Sequence, residues 1–329
     1  MNQLSRRIRR MKSCDYWMIA YRKIENNETL LGKNDKGEIT GFHLLPQNKF
    51  ITQADPFLFT YEGESWLFYE KQDLTDMKGT LWCVNLDVPG SKPVCILEED
   101  FHLSYPQVFS YGKEIYMIPE TRSAGDIRLY RCLEFPAKWE FAGKLFDLEA
   151  VDTTVLLDAH GRTDDRKMCY GGKSDDFEKG HGRCYVFTYT RKHLEIYDCQ
   201  LEQDIFQIRN KEKIYTAPIS ATDRPGGSIV CMAGQDGRQR MLRPAQNCTD
   251  YYGQELLINE IDRLHRQSFQ EHVYCRLTPE QIKLPDINPV GIHTYNRNER
   301  YEVIDILHRE ISVGTIWKKI KWKLRGSGK

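Results

Sequence analysis

Residues 54–70 read ADPFLFTYEGESWLFYE, and residues 104–120 read SYPQVFSYGKEIYMIPE. When Pro56 is set on Pro106, both stretches follow the pattern P-x-[LV]-F-x-Y, and both end in a glutamate at the same offset from the proline. In each copy, alternating apolar residues flank a short turn, which is the pattern of a β-hairpin. The chain therefore contains a repeated hairpin unit.

Weaker copies of this unit follow the first two. They begin in VDTTVLLDAHGR (151–162, continued by KMCYGG at 167–172), DRPGGSIVCM (223–232) and VGIHTYN (290–296). The repeat starts then fall at Pro56, Pro106, Thr153, Pro225 and His293. These starts are about 45 to 70 residues apart. Hairpin repeats at such intervals, with little helical pattern, predict an all-β fold, a five-bladed β-propeller. An irregular β-sandwich with two similar hairpins is the alternative.

Composition indicates a globular protein whose charge is unevenly distributed. The 329 residues are 40% hydrophobic and 29% charged, which excludes disordered and collagen-like chains. The net charge is zero, yet segments 1–12 and 315–329 together hold eleven of the 47 bases and none of the 47 acids. We therefore divide the chain into a basic N-terminal segment (1–12), an acidic propeller (13–311) and a basic tail (312–329).

The ten cysteines include no C-x-x-C pair and no zinc-finger spacing, so we predict neither a structural metal nor a cofactor. The N-terminal region has no apolar stretch of signal-peptide length, and no apolar run is long enough to span a bilayer. We expect reduced thiols and a cytoplasmic protein, which can also lie at the inner face of the membrane.

Several motifs carry a family resemblance. In chain order they are ADPFLF, KGTLW, HLSYPQVF, EIYMIPET, AVDTTV, RPGG, LRPAQNCTDYYG and GIHTYN. Together, from about Trp17 to Asp305, they resemble the N-terminal domain of the glucosamine inositolphosphorylceramide transferase family. The resemblance implies a five-bladed propeller similar to those of furanosidases and mannoside phosphorylases, and a role in making sugar conjugates. In the plant members the sugar-transferring domain is a separate C-terminal unit, so the resemblance implies fold more than reaction.

Two aspartates open predicted blades, Asp55 in blade one and Asp152 in blade three, and we expect their carboxylates to face each other across the central funnel. Glycosidic-bond chemistry needs one carboxyl group as base or nucleophile and another as acid. The resemblance to propeller glycosidases implies the base or nucleophile role for Asp55, and a sugar-orienting, pKa-tuning role for Asp152. Their acidic glutamate of blade four has no counterpart near Pro225, which leaves Glu120 of blade two as the candidate.

Each of these carboxyl groups also has a structural interpretation. Asp55 before a proline is a common residue at a turn or strand start, where it binds backbone N–H groups. Glu120 shares its repeat position with Glu70, which is consistent with a common role in tying blades together.

The absence of an acid in blade four also favours a phosphate or nucleotide leaving group, because such a group needs less protonation.

Five further residues near blade starts are candidates for substrate binding: His102, Tyr105, Arg243, Gln246 and His293. An arginine can clamp a phosphate or carboxylate, while histidine and tyrosine can bind sugar hydroxyls or stack on a ring. Alternatively, Arg243 pairs with acids between blades and His293 is a core imidazole. A metal site from His102, His293 and Asp152 lacks a helix-spaced ligand pair, and we predict none.

The tail reads SVGTIWKKIKWKLRGSGK over residues 312–329. Helical spacing places its apolar residues on one face and its bases around the rest, so we predict a short amphipathic helix. Such a helix is suited to an anionic membrane surface. Packing against the propeller is the main alternative, and a nucleic-acid tail is the least favoured, so we predict no nucleic-acid partner.

The sequence therefore predicts a carbohydrate-active propeller in cell-surface polysaccharide or glycolipid biosynthesis, a glycosyltransferase or a glycoside hydrolase-like protein. Its expected ligand is a sugar or sugar phosphate. A non-catalytic glycan-binding or scaffold propeller, which serves a separate glycosyltransferase or formyltransferase, is the alternative.

Overall fold

A computed structural model describes residues 13–24, 30–48, 50–74, 77–157, 182–233, 238–265 and 268–311. Helical structure in these residues is confined to short 3-10 turns at Leu30–Gly32, Arg122–Ala124 and Pro279–Gln281. No helix in the described ranges is long and apolar enough to cross a membrane. The remaining regular structure is β-strand, arranged in five antiparallel sheets.

Each sheet is one blade, and its strands are numbered in chain order. The chain starts in blade V with β1 (Ser13–Lys23) and β2 (His43–Leu44). Blade I contains β3 (Ile51–Tyr61), β4 (Glu64–Asp73), β5 (Gly79–Asn85) and β6 (Val94–Leu97). Blade II contains β7 (Ser104–Tyr111), β8 (Glu114–Glu120), β9 (Ile127–Glu134) and β10 (Lys138–Phe146).

The second half of the ring follows the same plan. Blade III contains β11 (Val151–Leu157), β12 (Gly182–Thr190), β13 (His193–Leu201) and β14 (Ile208–Thr216). Blade IV contains β15 (Arg224–Pro225), β16 (Val230–Ala233), β17 (Gln239–Asn247), β18 (Glu255–His265) and β19 (Ser268–Leu277). Blade V is completed by β20 (Gly291–Arg297) and β21 (Tyr301–Ile311).

The two ends of the described chain close the ring. In blade V the strand order is β2-β1-β21-β20, so an N-terminal strand lies between strands from both ends of the chain. Strand β1 pairs with β21 over its whole length, from Ser13 opposite Ile311 to Lys23 opposite Tyr301. Because β1 and β21 are paired along their whole length, neither strand presents an unpaired edge to the other where the ring closes.

The hydrophobic core is divided among the five interfaces between neighbouring blades. Each interface contains one cluster of buried side chains, represented by Phe68 between blades I and II, Val186 between II and III, Phe187 between III and IV, Ile258 between IV and V, and Ile19 between V and I. Strand residues alternate between the two faces of a sheet, so successive residues such as Val186 and Phe187 face opposite neighbours.

The predicted all-β, five-bladed propeller is confirmed, and the five predicted starts lie in the innermost strands β3, β7, β11, β15 and β20. The basic segment 1–12 and the amphipathic helix predicted for 312–329 lie outside the described residues, as does the KMCYGG part of the third repeat. The proposed domain limits stay a prediction.

Candidate functional site

The innermost strands carry a repeated irregularity at their starts. Pairing with the next strand shifts between Ala54 and Phe57, and the equivalent shift occurs in blades II, III and V. The first residue of the bulge is left-handed in three blades, with φ of 51° at Asp55, 50° at Tyr105 and 51° at Asp152. Such backbone is costly for residues other than glycine and concentrates at functional sites. The bulges therefore mark the blade starts as the place to look for function.

Asp55 is held by residues of blade V. One carboxylate oxygen, Oδ1, accepts a hydrogen bond from Thr294 Oγ1 at 2.9 Å and lies 3.2 Å from His293 Nε2. The backbone N–H of Asp55 donates to Asp305 Oδ2 at 3.0 Å. Asp305 Oδ2 also lies 2.8 Å from His293 Nδ1, which is ion-pair distance. His293 therefore bridges two carboxylates.

This arrangement favours a negative charge on Asp55 and a positive charge on His293. Burial alone would raise the pKa of Asp55, but the positive charge and hydrogen bond of His293 outweigh it and hold that pKa below its ordinary value. Burial alone would lower the pKa of His293, but the charges of Asp305 and Asp55 raise it to about 10. At neutral pH the pair is a carboxylate beside an imidazolium.

Asp152 is held by blade IV. Its Oδ2 accepts hydrogen bonds from Arg224 Nε and from Gln246 Nε2, the latter at 2.7 Å. Gln246 also donates to the carbonyl oxygen of Pro225 at 2.7 Å. The guanidinium of Arg224 extends toward blade II, where its Nη2 lies 4.0 Å from Glu120 Oε2. Arg224 thus links the two carboxyl groups of blades II and III.

Glu120 differs from Asp55 in protonation. Burial, followed by the negative charge of Asp152, raises the pKa of Glu120 to about 8, and Arg224 offsets only part of that rise. Burial, followed by the negative charge of Asp55, also raises the pKa of Glu70 well above its ordinary value. At neutral pH the carboxylate of Asp55 is therefore within electrostatic reach of a protonated Glu120.

His102 lies beside Glu70 on the blade I side. The N–H of Gly79 donates to His102 Nδ1 at 3.0 Å, and His102 Nε2 lies 3.5 Å from Glu70 Oε1. Burial lowers the pKa of His102, which favours the neutral form of the ring. His102 thus contacts, through Glu70, the carboxyl cluster formed by Asp55, Glu70, Glu120 and Asp152.

Tyr105 and Arg243 occupy different surroundings from the other candidates. The Tyr105 side chain is fully buried, and its hydroxyl contacts Thr154 at 2.9 Å and accepts the N–H of Gly227 at 2.7 Å, which joins blades II, III and IV. Arg243 is also buried and pairs with Glu271 on β19. Both placements match structural roles, and substrate contact by either residue stays a prediction.

Asp55, His293 and Asp305 are close enough together to be considered as metal ligands. Asp305, however, already uses both oxygens, because Oδ1 accepts the N–H groups of His293 and Thr294 and Oδ2 accepts that of Asp55. His293 has a carboxylate at each ring nitrogen. The donor set fits a charged pairing network rather than a metal site.

Sequence reasoning missed Arg224 and Asp305. Arg224 had a signal, because it immediately precedes the predicted start Pro225, as Asp55 precedes Pro56. Asp305 had none, because it lies on the second strand of its blade and outside the repeated pattern. Two other clefts, of about 600 and 570 Å³, lie away from the funnel, one beside Glu271 and one beside Tyr21.

Fold and site together define a five-bladed propeller whose inner strands bring several buried carboxyl groups within electrostatic reach of one another. Within that class, the chain belongs to the family described as glucosamine inositolphosphorylceramide transferase 1, N-terminal, whose sequence profile matches residues 45–283. The family assignment expected from the motifs is thereby confirmed.

Two relatives illustrate the match. Glucosamine inositolphosphorylceramide transferase 1 of Oryza sativa subsp. japonica is 28% identical over 225 residues, which cover 66% of this chain and 27% of the rice protein. The protein of the same name from Arabidopsis thaliana is 28% identical over 231 residues, which cover 69% of this chain and 27% of that protein. The match therefore spans only about a quarter of the length of these curated relatives.

Solved structures with a similar course of the chain include hydrolases. A GH62 hydrolase in complex with xylotriose has a TM-score of 0.47 and 11% identity, over 87% of this chain and 97% of the hydrolase. A GH43_1 enzyme from Xanthomonas citri has a TM-score of 0.46 and 12% identity, over 78% of this chain and 87% of the enzyme. At these identities the likeness concerns only the course of the chain.

Proposed function

We propose that this propeller transfers or processes a sugar in the assembly of a cell-surface polysaccharide or glycolipid. Asp55 is the base or nucleophile, Glu120 is the general acid, and Asp152 orients the sugar and tunes Glu120. The observation that carries the proposal is the contrast between two surroundings: Asp55 lies 3.2 Å from the His293 ring, whereas Glu120 is mostly buried with its nearest guanidinium nitrogen 4.0 Å away. These surroundings lower the pKa of Asp55 and raise that of Glu120. Two carboxyl groups whose surroundings push their pKa values apart are the usual arrangement for acid and base roles.

Asp55 has an oxygen available for the reaction. Its Oδ1 is engaged by Thr294 and His293, whereas Oδ2 makes no hydrogen bond within the described part of the chain. The imidazolium of His293 keeps the carboxylate ionised and fixes its orientation. Oδ2 can therefore attack an anomeric carbon, or take a proton from the hydroxyl or water that attacks it.

Glu120 supplies the complementary group. With a pKa of about 8 its carboxyl carries a proton at neutral pH, which it donates to the oxygen of the leaving group. When that proton is lost, the nearby guanidinium of Arg224 stabilises the new carboxylate. Glu120 thus takes the role that the sequence left without an obvious residue in blade four.

The family supports a sugar-containing substrate. The relatives are named as glucosamine inositolphosphorylceramide transferases, so a glycolipid acceptor or an amino-sugar donor is the first substrate class to test on this chain. A sugar phosphate or nucleotide sugar fits the same proposal, because its leaving group is already stable as an anion.

The direct test is turnover of nucleotide sugars, sugar phosphates and glycosides by the purified chain. Asp55→Asn and Glu120→Gln remove the base and the acid while preserving size, and we expect each to lower turnover by about 100-fold or more. Asp147→Asn and Glu134→Gln are matched controls, because both of those side chains are exposed. Turnover that survives both funnel substitutions would contradict the proposal.

A non-catalytic glycan-binding propeller is the second candidate. It is favoured by the low exposure of the funnel carboxyl groups, since Asp55 is 5% exposed and Asp152 is 2% exposed. It also fits a chain that matches only the N-terminal region of longer relatives. Sugar binding without turnover, together with activation of a separately added glycosyltransferase or formyltransferase, would select this candidate.

We also propose that the basic tail, residues 312–329, holds the protein at an anionic membrane surface, with the cytoplasmic face as the expected location. Each base near anionic headgroups contributes about 1 kcal/mol. Replacing Lys318, Lys319 and Lys321 with glutamate is expected to reduce co-sedimentation with anionic vesicles. Glutamate at the exposed propeller lysines 36, 113 and 138 is the control. Equal partitioning into neutral and anionic vesicles would contradict the proposal.

A further inference from the structure

An aromatic side chain lies outside the charged residues of the funnel. Exposure rises along a series of contacting residues, from the Asp152 side chain at 2%, through that of Arg224 at 23%, to Tyr252 at 46%. The Arg224 guanidinium lies 5.1 Å from the ring centre of Tyr252. Tyr252 is therefore the most exposed member of this series.

Tyr252 also covers the Asp55 side of the funnel. Its ring is 5.2 Å from that of His293, edge to face, and its hydroxyl is within electrostatic reach of Asp55 and Asp152. Trp17 of β1 completes the group, because its ring centre lies 3.9 Å from that of His293 and 6.0 Å from that of Tyr252. The Tyr252 ring thus contacts Arg224, the partner of Asp152, and His293, the partner of Asp55, while the Trp17 ring contacts His293.

The backbone is adapted to this arrangement at Gly253. Its φ of 70° is strained for any other residue, and a Cβ atom there would lie 2.4 Å from the Trp17 ring. The Tyr252 hydroxyl and the Trp17 indole N–H make no hydrogen bond to the residues that the structure describes. Two amphipathic rings therefore lie at the entrance with their polar groups uncommitted within that part of the chain.

We propose that Tyr252 forms an aromatic platform that receives the apolar C–H face of a saccharide ring and places its reacting carbon over Asp55, while the Trp17 ring, at 80° to that of Tyr252, forms a side wall. The proposal rests on the proposed sugar function and adds the binding residues and the ligand class. Tyr252 contributes stacking area at the entrance, and Trp17 sets the depth to which the ring can descend toward His293. A saccharide with one uncluttered C–H face is the ligand that fits.

A purely structural interpretation makes a different prediction. On that interpretation the two rings only pack around the imidazolium of His293, so removing Tyr252 would change the titration of His293 and leave sugar binding alone. On the platform proposal, removing Tyr252 weakens sugar binding even at a pH where His293 stays protonated. Binding measured at pH 6 separates the two interpretations.

The experiment measures binding of methyl glycosides of glucose, galactose, mannose, xylose and N-acetylglucosamine to the full chain, by saturation-transfer NMR and calorimetry. Tyr252→Ala is expected to weaken binding about tenfold, which corresponds to ~1.4 kcal/mol. Tyr252→Phe, which keeps the ring, is expected to stay within about twofold of the wild type. The matched control is Tyr274→Ala, because Tyr274 is 45% exposed and has Arg240 5.8 Å from its ring centre, but lies on the rim strand β19.

The platform is supported if saturation transfer to the C–H protons of the sugar ring disappears in Tyr252→Ala and persists in Tyr274→Ala. Equal binding by the wild type and Tyr252→Ala overturns it, as does an equal loss in Tyr252→Phe, or no binding of any probe by the wild type. Failure of the proposed function is a separate result: turnover that survives Asp55→Asn and Glu120→Gln. Each proposal can therefore fail alone.

Discussion

Asp55 and Asp152 occupy equivalent bulges and have the same left-handed backbone, with φ of 51° at both positions. Left-handed backbone at a residue other than glycine costs on the order of 1–3 kcal/mol, which the surrounding structure must offset. Here Asp305 and Thr294 hold Asp55, while Arg224 and Gln246 hold Asp152. The strain and its compensation are both local to the carboxyl groups that the proposed chemistry uses.

Glu120 makes stability depend on pH. Its folded pKa of about 8 lies above the ordinary value of 4.5, so the folded chain binds an extra proton between these limits. This contribution to stability is fully present below pH 4.5 and is lost as pH rises through 8. Glu120→Gln removes the dependence, and we expect it to stabilise the protein relative to wild type by about 1–3 kcal/mol more at pH 8 than at pH 5.

Urea unfolding of wild type and Glu120→Gln at pH 5 and pH 8 measures this difference. Glu134→Gln, on the exposed end of β9, should follow the wild type at both pH values. Parallel stability of wild type and Glu120→Gln across this pH range would show that Glu120 is ionised in the folded protein.

The pKa of His293 depends on two carboxylates. It is about 10, and the charge of Asp305 raises it more than that of Asp55. We expect Asp55→Asn to lower the pKa of His293 and Asp305→Asn to lower it further, because each change removes one negative charge beside the ring. NMR titration of the imidazole protons measures both, and a pKa that is unchanged in Asp55→Asn would contradict the pairing.

At the scale of the element, the sequence predicted the strands and turns that form between residues close together in the chain. Hairpin strands and turns follow from alternation and turn residues within about twenty positions, so the repeats identified all five innermost strands. The place of β1 in blade V could not be predicted in this way, because its partner β21 lies almost the whole chain away. For the same reason the contact between Trp17 and His293 could not be predicted.

Strand β1 is expected to control the stability of the ring. Ile19 of β1 is fully buried in the cluster between blades V and I. Ile19→Ala should reduce the free energy of unfolding by about 2–5 kcal/mol, through lost burial and a cavity in that interface. Leu133→Ala, at a position 46% exposed on β9, should cost far less. Similar urea midpoints for the two variants would show that β1 does not hold the ring closed.

At the scale of the whole molecule, the zero net charge is the sum of two basic end segments and an acidic propeller. Segments 1–12 and 315–329 contain eleven bases and no acids, and all 47 acids lie between them. Some of those acids lie between the blades, where burial, and then the negative charge of neighbouring aspartates, raises the pKa values of Glu70 and Glu120. The fold could be predicted from repeats, whereas these protonation states depend on burial and on contacts between blades.

The central claim is that Glu120 donates a proton to the leaving group while Asp55 acts as carboxylate. The measurement that tests it most directly compares the rates of wild type and Glu120→Gln on two donors of the same sugar, one with an alkoxide leaving group and one with phosphate. An alkoxide needs protonation, so we expect Glu120→Gln to slow that reaction about 10²–10⁴-fold. The phosphate donor should be slowed about tenfold or less, because its leaving group is stable without a proton. An equal effect of Glu120→Gln on both donors, or no effect on either, would contradict the account.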